Sequence, residues 1–336
     1  MAKVISKILL VLVLITSIYS CNTGTGTLKK VHFMGEAQGT YYAITYYDTL
    51  GRNFQPQIDS LLEDFDQTAS LWVENSLLRQ INSNQTSELN PLMMDMLDKS
   101  LKISELTEGY FDITVGKLVK AWGFGFSDPT TLDSSMVDSL MQYVGYSKVN
   151  VVDGILKKEH PEIELDFNAI AQGYSADMMA NFLSMKGIDN YLVDIGGEVI
   201  AKGCKPNGDH WVVGIEKPAE DKYSTQKVDV KINLDNMAVV TSGNYRKYYE
   251  NNGVKYSHTI NPFTGFPVSH TLLSVSVLSA NAWEADALAT AFMVMGMEKS
   301  LEFLKNNSGY DAYFIYNDNG EYKTYATEGF ENIIVK

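Results

Sequence analysis

The sequence is poor in cysteine and histidine, and each shortage excludes a class of protein. Its 336 residues include 2 cysteines and 5 histidines. Since Cys21 and Cys204 are the only pair, a small secreted fold held together by several disulfides is excluded. The histidines other than His258 lack the spacing of zinc ligands and have no second histidine one helical turn away. A zinc site is therefore not expected.

The sequence also lacks several common motifs and has fewer basic than acidic residues. The sequence contains no Gly-x-Ser-x-Gly, Walker A or Gly-x-Gly-x-x-Gly segment, which argues against the hydrolases and nucleotide-binding proteins that use them. It has 27 basic against 41 acidic residues, a net charge of −14, so nucleic acid and anionic membrane surfaces are unfavourable partners. The remaining composition, 45% hydrophobic and 20% charged without repeats, is that of one large domain or two closely packed ones.

Only one long apolar run is present, and it lies at the N-terminus. Lys3 and Lys7 precede the mostly apolar residues 8–19, a run too short to span a bilayer comfortably. This pattern predicts a signal peptide over residues 1–20. Its removal takes the net charge from −14 to −16, because two lysines leave with it.

The segment Ile-Tyr-Ser-Cys at 18–21 resembles a bacterial lipobox. A lipobox cysteine carries acyl chains, so we expect lipidation of Cys21 and an exported protein, lipid-anchored to a bacterial membrane and facing the periplasm. Alternatively, Cys21 only marks the end of a signal peptide that is cleaved at a nearby small residue. The sequence predicts a tether over residues 21–31 and a folded domain over residues 32–336.

Apolar periodicity predicts helices and strands in a mixed order. We expect helices around residues 58–65, 92–108, 128–145, 174–187 and 282–296, and strands at 40–48, 149–159, 163–167, 191–195, 211–218, 228–234, 237–243 and 274–280, with a C-terminal hairpin around 318–320. Strands that come in runs, rather than in strict alternation with helices, favour an α+β fold with largely antiparallel sheets and packed helices.

Asp286 is the first acid that suggests chemistry. It lies in the nearly apolar segment 282–296, and Thr290 follows it by one helical turn. A buried carboxylate without a partner is costly, and an acid with a hydroxyl at i+4 presents two oxygens on one face, which suits a hard cation such as Mg²⁺. In the alternative, Asp286 lies near the start of its helix and is stabilised by the helix dipole and solvent.

Asp166, in the segment LDFNAIAQGYSAD at 165–177, also has two interpretations. An acid between a strand and a helix is typical of an N-cap. The small residues that follow it, Ala169, Ala171 and Gly173, would instead let the backbone approach a ligand closely. A backbone carbonyl there could complete the oxygen ligands of a metal.

His258 is the histidine best placed for function, because it lies in a loop with proline and glycine, 255–270, and imidazole titrates near neutral pH. Aromatic residues also occur at 70–72, 109–112 and 122–126, in loops or at the ends of elements. Most are expected in the core, and some could clamp a planar ring.

Taken together, these segments resemble the ApbE family, the bacterial FAD:protein FMN transferases. The resemblance rests on the order and spacing of QGTYY (38–42), SLW (70–72), GYFDITVGKLVKAWGFG (109–125), LDFNAIAQGYSAD (165–177), VDIGGEV (193–199), WVVGIEKP (211–218), AVVTSGNYRKYY (238–249), HTINPFTGFPV (258–268) and ADALATAFMVMG (285–296). It implies an ApbE-like, T-fold-like single compact unit.

The resemblance implies that the chain binds Mg²⁺ and FAD and moves the FMN portion of FAD onto a Thr or Ser hydroxyl of a target protein, releasing AMP. It matches the metal ligands to Ala169 through its carbonyl, Asp286 and Thr290, and a candidate base to His258. Its flavin-nucleotide contacts match Gln38, Trp72, Tyr110, Phe111, Asp112, Asp166, Gln172 and Ile260. The chain departs from the family's commoner residues at Gln38, Trp72 and Gln172, and at Ala289, where some members have an acid.

The resemblance also implies partners, namely the flavinylated subunits of membrane electron-transport complexes of the Na⁺-translocating NADH:quinone oxidoreductase type. Two alternatives would use the same site. A periplasmic, metal-dependent FAD pyrophosphatase would replace the acceptor hydroxyl by water and give FMN and AMP. A non-enzymatic flavin-binding lipoprotein would store or deliver FAD.

Overall fold

The computed structural model describes residues 27–124, 132–218, 227–244, 248–251, 254–257 and 259–336. Residues 1–20, expected as a signal peptide, lie outside these ranges, as do Cys21, expected to be lipidated, and His258, the candidate base. Within the described ranges no helix is both long and apolar enough to cross a membrane.

An eight-stranded sheet forms the centre of the fold. Its strand order is β1-β2-β5-β6-β9-β12-β13-β14, and every neighbouring pair is antiparallel. The strands are β1 (Lys29–Ala37), β2 (Thr40–Asp48), β5 (Tyr191–Ile195), β6 (Glu198–Lys202), β9 (Ala238–Gly243), β12 (Leu272–Ser279), β13 (Asp311–Asp318) and β14 (Glu321–Ala326). The predicted α+β class with antiparallel pairing is confirmed. Strand β1 begins at Lys29, inside the range 21–31 expected to be a tether.

Three two-stranded ribbons stand apart from this sheet. They are β3 (Val149–Val152) with β4 (Ile155–Lys158), β7 (Trp211–Glu216) with β8 (Val228–Leu234), and β10 (Tyr248–Asn251) with β11 (Val254–Ser257).

The strand predicted at 163–167 does not form. The backbone N–H of Leu165 donates to Asn82 Oδ1 at 2.8 Å, and the Leu165 carbonyl accepts from Asn82 Nδ2 at 2.8 Å. The N–H of the next residue, Asp166, donates to the Ile113 carbonyl at 2.8 Å. A side-chain amide and a neighbouring turn therefore take the backbone groups that a strand partner would have paired with.

The helices pack mainly on one side of the sheet. They are α1 (Gln55–Ala69), α2 (Leu77–Asn82), α3 (Pro91–Leu106), α4 (Gly116–Ala121), α5 (Ser134–Met141), α6 (Ala171–Met185), α7 (Ala282–Met295), α8 (Met297–Asn306) and α9 (Glu328–Ile333). Of the predicted helix at 128–145, residues 128–131 lie outside the described ranges. Helix α5 begins at Ser134, where Asp133 caps it by accepting the Met136 N–H at 2.9 Å, and ends at Met141.

The two faces of the sheet bury different clusters. On β13, Ala312 and Phe314 belong to the main core with α6 and α7, whereas Tyr313 and Ile315 pack with Trp211 in a second cluster under the β7–β8 ribbon. This alternation follows from the two-residue repeat of a strand. The main core therefore holds α6 and α7 against the sheet, and the candidate site lies where these two helices meet.

Candidate functional site

Helices α6 and α7 meet at Gly173, which has no side chain to separate them. A Cβ at Gly173 would clash with the Ala282 carbonyl oxygen and would lie 2.7 Å from the Asp286 Cβ. Both neighbours belong to the first turns of α7. The glycine thus allows backbone contact between the N-terminal turns of two long helices.

Each of these helices has its first turn capped by a carboxylate from the other. Asp177 on α6 accepts the N–H of Ala282 at 3.0 Å and of Trp283 at 2.8 Å, through its two separate oxygens. Asp286 on α7 accepts the Gly173 N–H through Oδ2 at 3.0 Å. The N-cap residue of α7 makes no side-chain capping bond of its own, so Asp177 replaces it.

Burial shifts the ionisation of both carboxyl groups. Desolvation raises the pKa of Asp286 to about 7, and the nearby Asp177 charge adds to this while the Gly173 N–H opposes it. Desolvation likewise raises the pKa of Asp177 to about 6, against the stabilising N–H groups of Trp283 and Ala282. Asp286 lies near the start of α7, as the alternative interpretation expected, but it is only 7% exposed, so solvent contributes little to stabilising its charge.

The three expected metal ligands are grouped around this junction. The Gly173 N–H, which would meet the Ala169 carbonyl in a continued helix, donates to Asp286 instead, and this leaves the carbonyl available. Thr290 lies one turn beyond Asp286 on the same helix face and is half-buried.

The chemistry of this donor set fits a hard divalent cation. No lysine or arginine of the described ranges forms an ion pair with the buried Asp286, although a buried carboxylate needs a compensating charge. The same ranges contain no group of three or more His, Cys, Asp or Glu side chains that could hold a metal by themselves. A cation here would therefore need oxygens from water or from a phosphate ligand, which suits Mg²⁺.

Asp166 is not the N-cap of α6, which begins five residues later at Ala171. Its Oδ1 accepts the Asn168 N–H at 2.8 Å, so it closes a local turn before the helix. The carboxyl is 7% exposed, and burial raises its pKa while the bonds from Asn168 oppose the shift. The capping interpretation was therefore wrong, because Asp166 closes a turn before the helix and the N-cap position of α6 is Ile170.

Gln38 and Gln172 both lie at the N-terminal end of α6. Gln38 has φ of 55° and, with Gly39, forms the two-residue turn between β1 and β2. Its Oε1 accepts a hydrogen bond from the Ser175 hydroxyl at 3.3 Å, whereas its Nε2 is buried and has no hydrogen-bond partner among the residues that the structure describes. Gln172 packs against Gly196, where an added Cβ would lie 2.8 Å from Gln172 Nε2. A buried donor without a partner is typical of a position that a ligand completes.

In the segment 110–112, Phe111 and Asp112 are buried, whereas Tyr110 lies partly at the surface. Asp112 is buried, and both of its oxygens are used: Oδ1 accepts Thr114 N–H at 2.8 Å, and Oδ2 accepts Tyr146 N–H at 2.7 Å. Phe111 lies in the main core. Only the Tyr110 ring is partly exposed among the three side chains.

The Tyr110 ring belongs to a small group at the surface. It packs edge-on against Phe263 with ring centroids 4.9 Å apart, and its hydroxyl accepts a hydrogen bond from Lys299. Lys299 Nζ lies 4.8 Å from the centre of the same ring.

The two remaining residues expected to contact the flavin nucleotide differ in exposure. Ile260 is buried in a third cluster with Leu118 and Trp122, whereas the Trp72 side chain is 59% exposed. The structure therefore groups Gln38, Ala169, Gln172, Asp286 and Thr290 around the N-terminus of α6. The ligand-binding roles of all these residues stay predictions.

Two structurally important residues were missed by the sequence interpretation, although both lie inside LDFNAIAQGYSAD. The sequence predicts for Gly173 only a close approach of the backbone to a ligand, and it predicts no role for Asp177. Their spacing of four residues places them on one helix face, but the sequence does not show which helix packs against that face.

Comparisons with known proteins identify the family and the fold of this chain. The sequence matches the ApbE family over residues 38–314. It is 35% identical over 318 residues to an FAD:protein FMN transferase of Vibrio cholerae. This alignment covers 92% of this chain and 94% of that protein. The structure matches the flavin transferase ApbE from Vibrio cholerae with a TM-score of 0.81 and 32% identity, over 91% of this chain and 99% of the other. The apo form of the Pseudomonas stutzeri flavinyl transferase ApbE gives a TM-score of 0.82 and 30% identity, over 91% and 97%.

Proposed function

Because this chain belongs to the ApbE family, we propose that it is an FAD:protein FMN transferase, an enzyme of protein flavinylation. FAD is its substrate, and the FMN portion is transferred to a Thr or Ser hydroxyl of a target protein while AMP leaves. The observation that carries this proposal is the α6–α7 junction within the matched range, where the buried Asp286 carboxylate lies beside a helix N-terminus.

The reaction requires one bond to form and one to break at phosphorus. The acceptor oxygen bonds to the FMN phosphorus, and the bond from that phosphorus to the oxygen of the AMP phosphate breaks. The hydroxyl proton must leave the acceptor, and His258 is the candidate base for it. The N-terminus of α6 supports the negative phosphates, because the N-terminal end of a helix carries partial positive charge.

Asp286, Thr290 and the Ala169 carbonyl would hold Mg²⁺. Two observations support this assignment: the buried Asp286 carboxylate has no ion-pair partner among the described residues, and the Gly173 N–H donates to Asp286 instead of to the Ala169 carbonyl. When bound, Mg²⁺ supplies electrostatic stabilisation of the charge that develops on the phosphoryl oxygens. For a chain with a net charge of −14, such compensation also favours the binding of an anionic substrate.

The flavin nucleotide would lie along the surface from Gln38 to Tyr110. The unpartnered Gln38 Nε2 can donate to a ligand oxygen, and the half-exposed Tyr110 ring offers an aromatic face. Trp72, 59% exposed, offers a second aromatic surface. Gln172 and Asp166 would border the same ligand.

The acceptor and the location belong to the same proposal. The acceptors would be subunits of membrane electron-transport complexes of the Na⁺-translocating NADH:quinone oxidoreductase type. A lipid anchor on Cys21 would keep the enzyme at the periplasmic face of a bacterial membrane, next to such substrates.

Incubation of the protein with FAD, Mg²⁺ and a purified acceptor subunit tests the proposal. We expect a fluorescent flavin band on the acceptor that survives denaturing electrophoresis, together with AMP, and loss of both in Asp286→Ala. Free FMN and AMP without labelled acceptor would instead indicate a pyrophosphatase. Tight FAD binding without any AMP, with or without Mg²⁺, would indicate a flavin-binding protein that is not an enzyme.

A further inference from the structure

We propose that Asp177 is a positioning residue of the metal site: by holding the first turn of α7 against α6, it sets where the Asp286 carboxylate and the Ala169 carbonyl lie. This inference rests on the proposed metal-dependent transfer and adds to it a residue that contacts neither metal nor substrate.

The first step is that Asp177 fixes the start of α7. Its two oxygens accept the N–H groups of Ala282 and Trp283 at 3.0 and 2.8 Å, and these residues begin the helix. A carboxylate that binds two consecutive amides through separate oxygens constrains both the position and the rotation of the helix. Asp286 lies four residues after Ala282, so its side chain projects from the face that Asp177 orients.

The second step is that Asp286 returns a bond to α6. It accepts the N–H of Gly173, which lies four residues before Asp177 on the same face of α6. The two carboxylate–amide contacts therefore connect the helices at both ends of one turn. Because Gly173 has no side chain, nothing intervenes between the contacts.

The third step is that this pairing frees the expected ligands. Gly173 N–H is committed to Asp286 Oδ2, so the Ala169 carbonyl keeps its lone pairs for another partner. Asp286 Oδ1 remains available as well. Both oxygens of Asp177 accept amide hydrogens of the α7 backbone, so its contacts are with the start of that helix and not with the three expected ligands. Its effect on a metal must therefore pass through Asp286 and the backbone of α6.

Asp177→Asn is the informative substitution, since it keeps the size of the side chain but replaces one accepting oxygen by an amide that cannot accept. Asp311→Asn is the matched control. Asp311 accepts the Gly329 N–H in the first turn of α9 at 3.1 Å, so it also caps a helix from another element. It has no part in the α6–α7 junction, and both of its bonds, from the Gly329 N–H and the Thr327 hydroxyl, go to Oδ1, so an amide oxygen can keep them. The substitution therefore reports the general effect of replacing a capping carboxylate by an amide.

Two measurements on the full chain separate positioning from general stability. The first is the affinity for Mn²⁺ alone, followed by electron paramagnetic resonance of the free ion. The second is the hydrogen-exchange protection of the Gly173 amide in the metal-free protein. We expect Asp177→Asn to weaken Mn²⁺ binding about 10-fold or more and to lower Gly173 protection. Asp311→Asn should change neither, even where it lowers Tm by a similar amount.

Unchanged Mn²⁺ affinity in folded Asp177→Asn would overturn the inference. Weaker affinity with unchanged Gly173 protection would overturn it too, because the effect would then come from the lost charge and not from the position of Asp286. If the wild-type protein binds no Mn²⁺, the proposed metal site itself fails, and that result is distinct from either of these.

Discussion

At the scale of single residues, the cost of keeping the Asp286 carboxylate buried can be measured. Its pKa of about 7 means that the folded protein binds a proton there more tightly than the unfolded chain does. Asp286→Asn should therefore raise the free energy of unfolding of the metal-free protein at pH 8 by about 1 to 4 kcal/mol. The same variant should lose nearly all FAD turnover, because the candidate metal ligand is gone.

Denaturant unfolding in EDTA at pH 8, beside assays of AMP release with Mg²⁺, tests both parts. A variant that is less stable than wild type in EDTA would show that the carboxylate stabilises the fold without a metal. Equal turnover of the two proteins would remove Asp286 from the site.

Gln38 provides a second test at this scale, because its Nε2 is buried and unpartnered. Gln38→Met removes that donor, so Tm of the FAD-free protein should rise while FAD affinity falls about 10-fold, the effect of one lost hydrogen bond. Ser175→Ala, which removes only the hydroxyl that orients Gln38, should reduce FAD affinity less. Titration of FAD fluorescence provides the affinities, and an unchanged affinity in Gln38→Met would contradict a contact with the ligand.

The sequence could identify Asp286 as unusual, because one acid in an apolar helix stands out by composition alone. It could not identify Asp177, since a carboxylate on a helix is ordinarily solvated and its partner lies 105 residues away in sequence. The N-cap considered for Asp166 does not form, and the reason is local. Its local bond to Asn168 depends on a turn that ends before α6 begins.

At the scale of elements, the contact between α6 and α7 depends on Gly173. Gly173→Ala gains helix propensity of about 1 kcal/mol, but its Cβ would lie 2.7 Å from the Asp286 Cβ and would force the helices apart. We expect a net loss of about 1 to 3 kcal/mol in the free energy of unfolding, and weaker Mn²⁺ binding.

Asn181→Ala is the control for this substitution, because Asn181 is exposed on the same helix. It should change stability by less than about 0.5 kcal/mol and leave Mn²⁺ binding unchanged. Equal stability of Gly173→Ala and wild type, measured by urea unfolding, would mean that the junction can widen without cost.

Elements with a clear sequence pattern could be predicted. Strand β2 shows alternation, α6 carries apolar residues at 178, 179, 182 and 183, and α7 is a nearly continuous apolar segment. The strand expected at 163–167 failed because Asn82, distant in sequence, supplies the hydrogen bonds that a strand would need. Helix α8 was missed because Gly296, with φ of 74°, ends α7 and starts the next helix directly, so no loop marks the boundary.

At the scale of the whole molecule, buried acids should make the protein less stable as pH rises from acidic to neutral. The pKa values of Asp177 and Asp286 are raised to about 6 and 7, so the folded state binds more protons between about pH 4 and 7. Stability of the metal-free protein should fall as pH rises through that range. Asp48 acts oppositely, because Arg52 lowers its pKa to about 2, so its contribution is lost as pH falls below 4.

Urea unfolding in EDTA across pH 3 to 8 should therefore show a maximum at mildly acidic pH. Asp48→Asn should remove part of the acid limb and leave the neutral limb unchanged, and Mg²⁺ should restore stability most at pH 8. Stability that rises steadily from pH 4 to 8 without metal would contradict the pKa shifts at the junction.

Intact-mass analysis of a purified acceptor subunit, after incubation with this protein, FAD and Mg²⁺ and with AMP quantified in parallel, is the decisive test of the proposed transfer. We expect one added FMN group per modified hydroxyl, matched mole for mole by AMP, and neither product in EDTA or with Asp286→Ala. An acceptor of unchanged mass, with FMN and AMP accumulating in solution, would contradict it.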